Sequence, residues 1–305
     1  MSCIQFRPVV ELFDREASMH YKDYKTILSP NNGINLFRGC VHGCIYCDSR
    51  SACYHINHMF EDIEIKRGAV EILEGQLRRR RQRCMISTGS MCDSYMPFSE
   101  TLEITRQCFR LIERYGFGLA ILTKSAGILR DIDILKSINE KARCVVEMTL
   151  TTYDEALCRK IEPNVSSTAE RVEALEAFRE AGIPTVVWLS PILPFINDTE
   201  ENLRGLLGYC VRAGVAAIVC FGFGVTMREG SREHFYARLD EGFPGVKSRY
   251  INAYGNMYEC LSPSSGALMV VLRDECAKHG IICGTDEAFS FIRRFGQEQE
   301  QMSLF

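Results

Sequence analysis

No apolar run in this chain of 305 residues approaches the roughly 20 needed to cross a bilayer, so no membrane span is expected. The opening Met1-Ser2-Cys3-Ile4-Gln5-Phe6-Arg7 lacks the long apolar core of a secretion signal. Charge of one sign is missing as well. Thirty-six Lys and Arg against 39 Asp and Glu leave a formal charge of −3, which excludes a polycation and confines any nucleic-acid contact to a local basic surface. The chain also shows no fibrous or disordered bias, because 46% of its residues are hydrophobic and 25% charged. That composition suffices for a large core in one α/β barrel or two modest domains.

Cysteine, by contrast, is abundant. Fifteen thiols would mean disulfides in a short secreted chain, but without a secretion signal they are expected reduced, in a cytoplasmic protein. Cys144, Cys220 and Cys283 lie in apolar stretches, where a free thiol packs as a small hydrophobe.

In chain order, residues 1–33 read as an irregular lead-in closed by the Asn31-Asn32-Gly33 turn. From Ile34 strand and helix patterns alternate. Strands are expected at 34–37, 84–88, 119–123, 144–150, 185–189 and 215–221, and helices over 66–83 and 99–115, around 128–135, from the Ser167-Thr168-Ala169-Glu170 capping box through Phe178, and along Leu203 to Val211. Six strand-plus-helix units imply a parallel sheet with helices outside. Polar residues follow successive strands at Cys40–Cys47, Cys92-Asp93, Lys124-Ser125, Thr151-Thr152, Asn197-Asp198 and 222–224, and barrel enzymes keep their chemistry on that rim. The expected fold is an α/β partial (β/α)6 TIM-like barrel over 34–224, with a C-terminal helical and loop extension over 225–296 and a flexible tail over 297–305.

The most specific stretch is Cys40-Val41-His42-Gly43-Cys44-Ile45-Tyr46-Cys47. A [4Fe–4S] cluster normally takes four thiolates, so three spaced C-x-x-x-C-x-x-C leave one iron open to an exogenous ligand. The competing reading is a structural zinc site, which wants four ligands. His42 sits inside the same small loop and turns inward with difficulty, which makes Cys53 the better fourth ligand for zinc.

With Arg38-Gly39 before it, this loop resembles that of the radical S-adenosylmethionine (SAM) enzymes, and more narrowly the spore photoproduct lyase-like group. Similar segments continue through Ser90-Met91-Cys92-Asp93-Ser94-Tyr95-Met96-Pro97, Leu122-Thr123-Lys124-Ser125, Arg130-Asp131, Glu162-Pro163, Arg171, Ala181-Gly182-Ile183-Pro184 and 191–198. The resemblance implies a [4Fe–4S] cluster on Cys40, Cys44 and Cys47, reductive cleavage of SAM with an external electron donor, and hydrogen abstraction from damaged or modified DNA. It makes Lys124 the partner of the SAM carboxylate and Ser90, Asp93, Thr149 and Thr151 further SAM contacts. Cys92 stands where relatives commonly carry serine, and is either a hydrogen donor to the product or a replacement for that serine. Other readings are the same radical chemistry on an RNA, peptide or small molecule, and a metal-stabilised module that docks without turnover.

Two surface features bear on partners. The run Arg78-Arg79-Arg80-Arg81 falls late in a helix and reads as a solvated face, whereas Arg228, Arg232, Arg238, Lys247 and Arg249 interleave with Phe235, Tyr236, Tyr250 and Tyr254 and could border a substrate cleft. The final Gln301-Met302-Ser303-Leu304-Phe305 resembles the motif by which bacterial replication and repair proteins dock on the sliding clamp.

Overall fold

The computed structural model describes residues 18–296, so the clamp-like motif at Gln301, Met302, Leu304 and Phe305 lies outside the described residues. It opens on a strand hidden in the lead-in, β1 (Met19–Asp23). β2 (Phe37–Arg38) and β3 (Ile63–Arg67) complete a small mixed sheet in which β3 is central, parallel to β1 and antiparallel to β2. The expected first barrel strand is reduced as a result. Ile34 donates its N–H to the Ser87 carbonyl at 2.8 Å and a single bridge joins Gly33 to Ser87, before Phe37 and Arg38 turn away to pair with Ile65 and Glu64. The helix expected over 66–83 likewise starts later, as α1 (Ala69–Arg79), because Ile63 and Ile65 alternate with polar residues and belong to β3.

Beyond α1 the expected alternation holds. β4 (Met85–Thr88), α2 (Ser99–Arg114), β5 (Gly118–Thr123), α3 (Ile132–Lys141) and β6 (Cys144–Thr149) are followed by two helices, α4 (Glu155–Ile161) and α5 (Thr168–Glu180). The capping box at Ser167 and Glu170 is formed as the sequence suggests. β7 (Thr185–Trp188), α6 (Glu200–Ala213) and β8 (Ala217–Val219) complete a parallel sheet ordered β4-β5-β6-β7-β8. The chain is thus an α/β partial barrel with five paired strands and the sixth position held by one bridge.

The two sheet faces bury different things. Ile86, Leu119, Ile121, Val146, Met148, Val187 and Ile218 face the helical layer, where Leu73, Phe109, Leu135, Phe178 and Leu206 meet them. Met85, Ala120, Val145, Val186, Ala217 and Val219 face inward. The extension serves both faces. β9 (Gly224–Thr226), α7 (Ser231–Gly242), α8 (Val246–Tyr254) and β10 (Glu259–Leu261) lead to α9 (Ser265–His279), which joins the outer layer beside α6 through Arg204 and Glu275 at 3.4 Å. α10 (Thr285–Arg293) crosses the inner face, seating Ala288 and Ile292 on the inward row. Among the described residues no helix is long and apolar enough to cross a membrane.

Candidate active site at the cluster loop

The loop that follows β2 is tied down on two sides. Cys40 donates its N–H to the Phe60 carbonyl at 2.8 Å, and Gly39 before it has φ +85°, with room for a Cβ only 2.5 Å from that same carbonyl oxygen. A side chain at Gly39 would therefore push the first candidate ligand off its strand. On the far side Ile45 donates to the Ile161 carbonyl at 3.0 Å, and the Asn164 side-chain amide donates to the Val41 carbonyl at 2.8 Å. Cys44, Ile45 and Tyr46 pack into an apolar cluster with Phe235, Leu239 and Tyr250 of the extension, which covers the loop.

Burial pushes the Cys40 thiol up to about 12, with Cys47 and Asp93 adding to it, and raises Cys44 well above its ordinary value, with Cys47 and Cys40 contributing. Thiols this buried keep their protons unless a cation takes the proton's place. The three do not converge on one ion: among the described residues they form no group whose ligand atoms all lie within 4.8 Å. Neither candidate fourth ligand joins them. Cys53 is exposed and meets Arg228 at 3.5 Å, and His42 is buried with Nδ1 3.5 Å from Asp93.

Two buried carboxylates organise the surroundings. Asp93 accepts from the Tyr95 N–H, the Thr123 hydroxyl and the Lys124 N–H, each at 2.8 Å, and so joins the loop after β4 to the end of β5. Glu162 accepts from the Tyr46 hydroxyl and pairs at 2.6 Å with Arg171, both members fully buried. Burial opposes the Glu162 charge, but Arg171 and Lys124 outweigh it and hold the carboxyl below its ordinary value. Arg171 also donates to the Thr149 carbonyl at 2.7 Å and the Ser166 carbonyl at 2.8 Å, linking the end of β6 to the loop before α5. The quoted motifs contain Glu162 and Arg171, but no role could be read for them in sequence. The available clue was an arginine in register with Val172, Leu175 and Phe178 on the buried face of α5.

The remaining candidates line the same rim. The Lys124 ammonium stands 5.9 Å from the Tyr46 ring centre; burial opposes its charge, while Cys44, Glu162, Asp93 and Cys47 together raise its pKa. Thr149 and Thr151 are buried, and the Thr151 hydroxyl has no partner among the described residues. Ser90 is exposed on the turn after Gly89, whose φ is +95° and where a Cβ would lie 1.8 Å from the Leu122 carbonyl oxygen. Cys92 is buried and its S–H points to the Gly39 carbonyl at 2.8 Å, bracing the second-strand loop against the cluster loop.

On the inner side of the sheet lies an aromatic group the sequence did not reveal. Trp188 donates its ring N–H to Glu147 at 2.6 Å, and its ring meets Phe221 at 5.7 Å and Phe289 at 5.8 Å. Burial pushes the Glu147 carboxyl up to about 7, partly offset by the Trp188 bond. Phe221 remains 58% exposed, while Trp188 and Phe289 are half-buried. In the basic and aromatic extension Phe235 and Tyr250 are buried in packing, Arg232 spans the Met227, Gly255, Asn256 and Met257 carbonyls, and Arg238 and Lys247 pair with Glu241 and Asp240.

A partial barrel with three thiols in the loop after its first strand defines a class, and comparison agrees. The model of the radical SAM superfamily matches residues 34–207, more than half of the chain, and the chain belongs to that superfamily. Its cofactors are a [4Fe–4S] cluster and SAM, and its members draw an electron from an external donor. An uncharacterized protein of Mycobacterium tuberculosis is 26% identical over 227 residues, covering 72% of this chain and 66% of the relative. One from Methanocaldococcus jannaschii is 30% identical over 169 residues, covering 55% of this chain and 62% of the relative. The matches thus span just under two thirds of these relatives. A solved spore photoproduct lyase superimposes with a TM-score of 0.63 at 14% identity, covering 87% of this chain and 81% of that one, a likeness of fold. Another structure of that enzyme, with AdoMet and dinucleoside spore photoproduct bound, gives a TM-score of 0.63 at 13% identity over the same shares.

Proposed function

We propose that this chain is a radical SAM enzyme that abstracts hydrogen from damaged or modified DNA, with Cys40, Cys44 and Cys47 holding the cluster. The observation that carries the reading is the placement of Cys40, Cys44 and Cys47 in one loop inside the matched region, with Cys44 and Cys47 close enough to the Lys124 ammonium to act on its charge. Lys124 supplies a fixed positive charge for the SAM carboxylate, and the unpartnered Thr151 hydroxyl offers a hydrogen bond to a bound polar group. Asp93 fixes the backbone of Lys124, and Glu162 with Arg171 fixes Tyr46. Cys92 keeps its proton because burial raises its pKa, and its bond to Gly39 fits bracing of the two loops. Bound there, the cluster and SAM supply a 5′-deoxyadenosyl radical by one-electron reductive cleavage, while the protein positions the parts and excludes water.

The DNA assignment rests on the exposed Phe221 ring beside Trp188 and Phe289, since stacking on aromatic rings is how extruded or unpaired bases are held. The dinucleoside photoproduct in the similarly folded lyase is consistent with it. Anaerobically reconstituted protein is expected to show iron–sulfur absorption and to release 5′-deoxyadenosine only with reductant. A variant with Cys40, Cys44 and Cys47 all changed to Ala that kept both properties would refute the cluster assignment. For the substrate, ultraviolet-damaged duplex should bind in preference to intact duplex, and RNA or peptide competing equally would overturn the DNA reading.

A further inference from the structure

Away from the cluster thiols, the small sheet brings together a second set of metal-ligating side chains. His20 on β1 stands opposite Glu64 on β3 in the strand register, and His58 reaches them from the preceding loop. One ligand atom from each lies within 4.8 Å of the other two. Both imidazole Nε2 atoms stand 3.8 Å from the same Glu64 Oε2. An ion with bonds of about 2.0–2.2 Å to nitrogen and oxygen tolerates separations up to about 4.2 Å, so these atoms can share one.

The surroundings point the nitrogens inward. His58 Nδ1 lies 2.9 Å from the Met59 carbonyl oxygen, within hydrogen-bond reach, and His20 Nδ1 lies 3.0 Å from Asp62 as an ion pair without hydrogen-bond geometry. An N–H directed to such an oxygen leaves the Nε2 lone pair free for a metal, the usual arrangement behind ligating histidines. His58 Nε2 is buried with no hydrogen-bond partner among the described residues. Glu64 is 2% exposed, its Oε1 taken by the Tyr24 hydroxyl and its Oε2 by Lys22 at 3.1 Å, with Arg38 3.8 Å from Oε1.

We propose that His20, His58 and Glu64 form a binding site for a divalent ion of the zinc class, separate from the cluster. Two imidazoles and one carboxylate make a three-ligand set with a position left for water. The Lys22 ammonium holds the carboxylate until the ion arrives; being exposed, it can then swing into solvent. The ion would clasp loop 58–62 to β1 and β3. Phe60 in that loop accepts from the Cys40 N–H, so the clasp would steady the first residue of the cluster loop.

The test uses the full chain with Cys40, Cys44 and Cys47 changed to Ala, which removes the thiols most able to capture the probe. Titrated with Co2+, it should take up one equivalent, with the visible bands of a nitrogen and oxygen site and no thiolate-to-cobalt charge transfer, and Zn2+ should displace it. Adding His58→Ala or Glu64→Gln should weaken binding at least tenfold. Adding Lys22→Met should tighten it several-fold by removing the competing ammonium, and this gain of affinity stays readable even where a ligand variant folds poorly. Failure to bind Co2+, thiolate bands, unchanged affinity in His58→Ala, or no tightening in Lys22→Met would each overturn the site. The outcome is independent of SAM cleavage and of the substrate.

Discussion

The cradle above the sheet and the aromatic group on its inner side handle polar groups in contrasting ways. Above the sheet, Asp93 receives three protein donors and Glu162 is matched by Arg171 and Tyr46, so buried charge is compensated within the chain. Inside, Glu147 is buried with the Trp188 N–H as partner and, among the described residues, no cation holds its pKa down, while the nearby Phe221 ring stays exposed. Completed networks give fixed geometry, as a cofactor shelf requires. Incomplete satisfaction marks surface awaiting an occupant.

The comparison breaks hardest at Arg171. Arg171→Met removes a guanidinium that is 0% exposed and leaves the Glu162 carboxylate short of its counter-charge. Breaking a buried pair by deleting one partner costs about 3–5 kcal/mol, and urea unfolding of the apoprotein should show a loss of that order. Glu162→Gln added to Arg171→Met should recover part of it, because no uncompensated charge is then buried. A loss below 1 kcal/mol would mean that the network is not the cradle's support.

The inner aromatic group yields a smaller, pH-dependent effect. Glu147 holds its proton to about 7 in the folded chain against an ordinary 4.5. Between those values the folded state binds a proton that the unfolded state has released, so its contribution is full at low pH and is lost as pH rises through 7. Glu147→Gln cannot ionise and keeps a carbonyl for Trp188. It should unfold about 2–3 kcal/mol harder than wild type at pH 8 and nearly alike at pH 5. Equal stability at both pH values would show that the inner group, too, compensates its charge.

The cradle was legible in sequence because its chemistry is local: three thiols in eight residues, and polar residues at successive strand ends. The central strands were legible because their apolar runs are interrupted by helical periodicity. β1 and β3 escaped because Met19 to Asp23 is mostly exposed and carries no apolar run. α10 reads as an amphipathic helix, but periodicity shows that a helix has a buried face and not which surface covers it, so its place inside the barrel was hidden. Arg171 escaped because arginine is rarely buried unless paired, and its partner Glu162 lies in a different turn of chain. The inner aromatic group depends on pairing between β6 and β7, which brings Glu147 and Trp188 together only after folding.

The finest form of the comparison lies within one apolar cluster that holds both Tyr46 and Tyr250. Tyr46 donates its hydroxyl to Glu162, whereas the Tyr250 hydroxyl is buried without a partner among the described residues. The rings are equally apolar and both are buried, so phenylalanine at either place keeps the packing and removes one oxygen. At Tyr46 that oxygen's bond is to a charged group, and its loss should cost about 1.5–3 kcal/mol. At Tyr250 the oxygen was stripped of water on folding with nothing returned, so its removal should leave stability unchanged or raise it by about 1 kcal/mol. Unfolding the two variants side by side isolates hydrogen bonding from burial. A comparable loss in both would place an unseen partner on Tyr250 and extend the cradle's completed network into the extension that covers it.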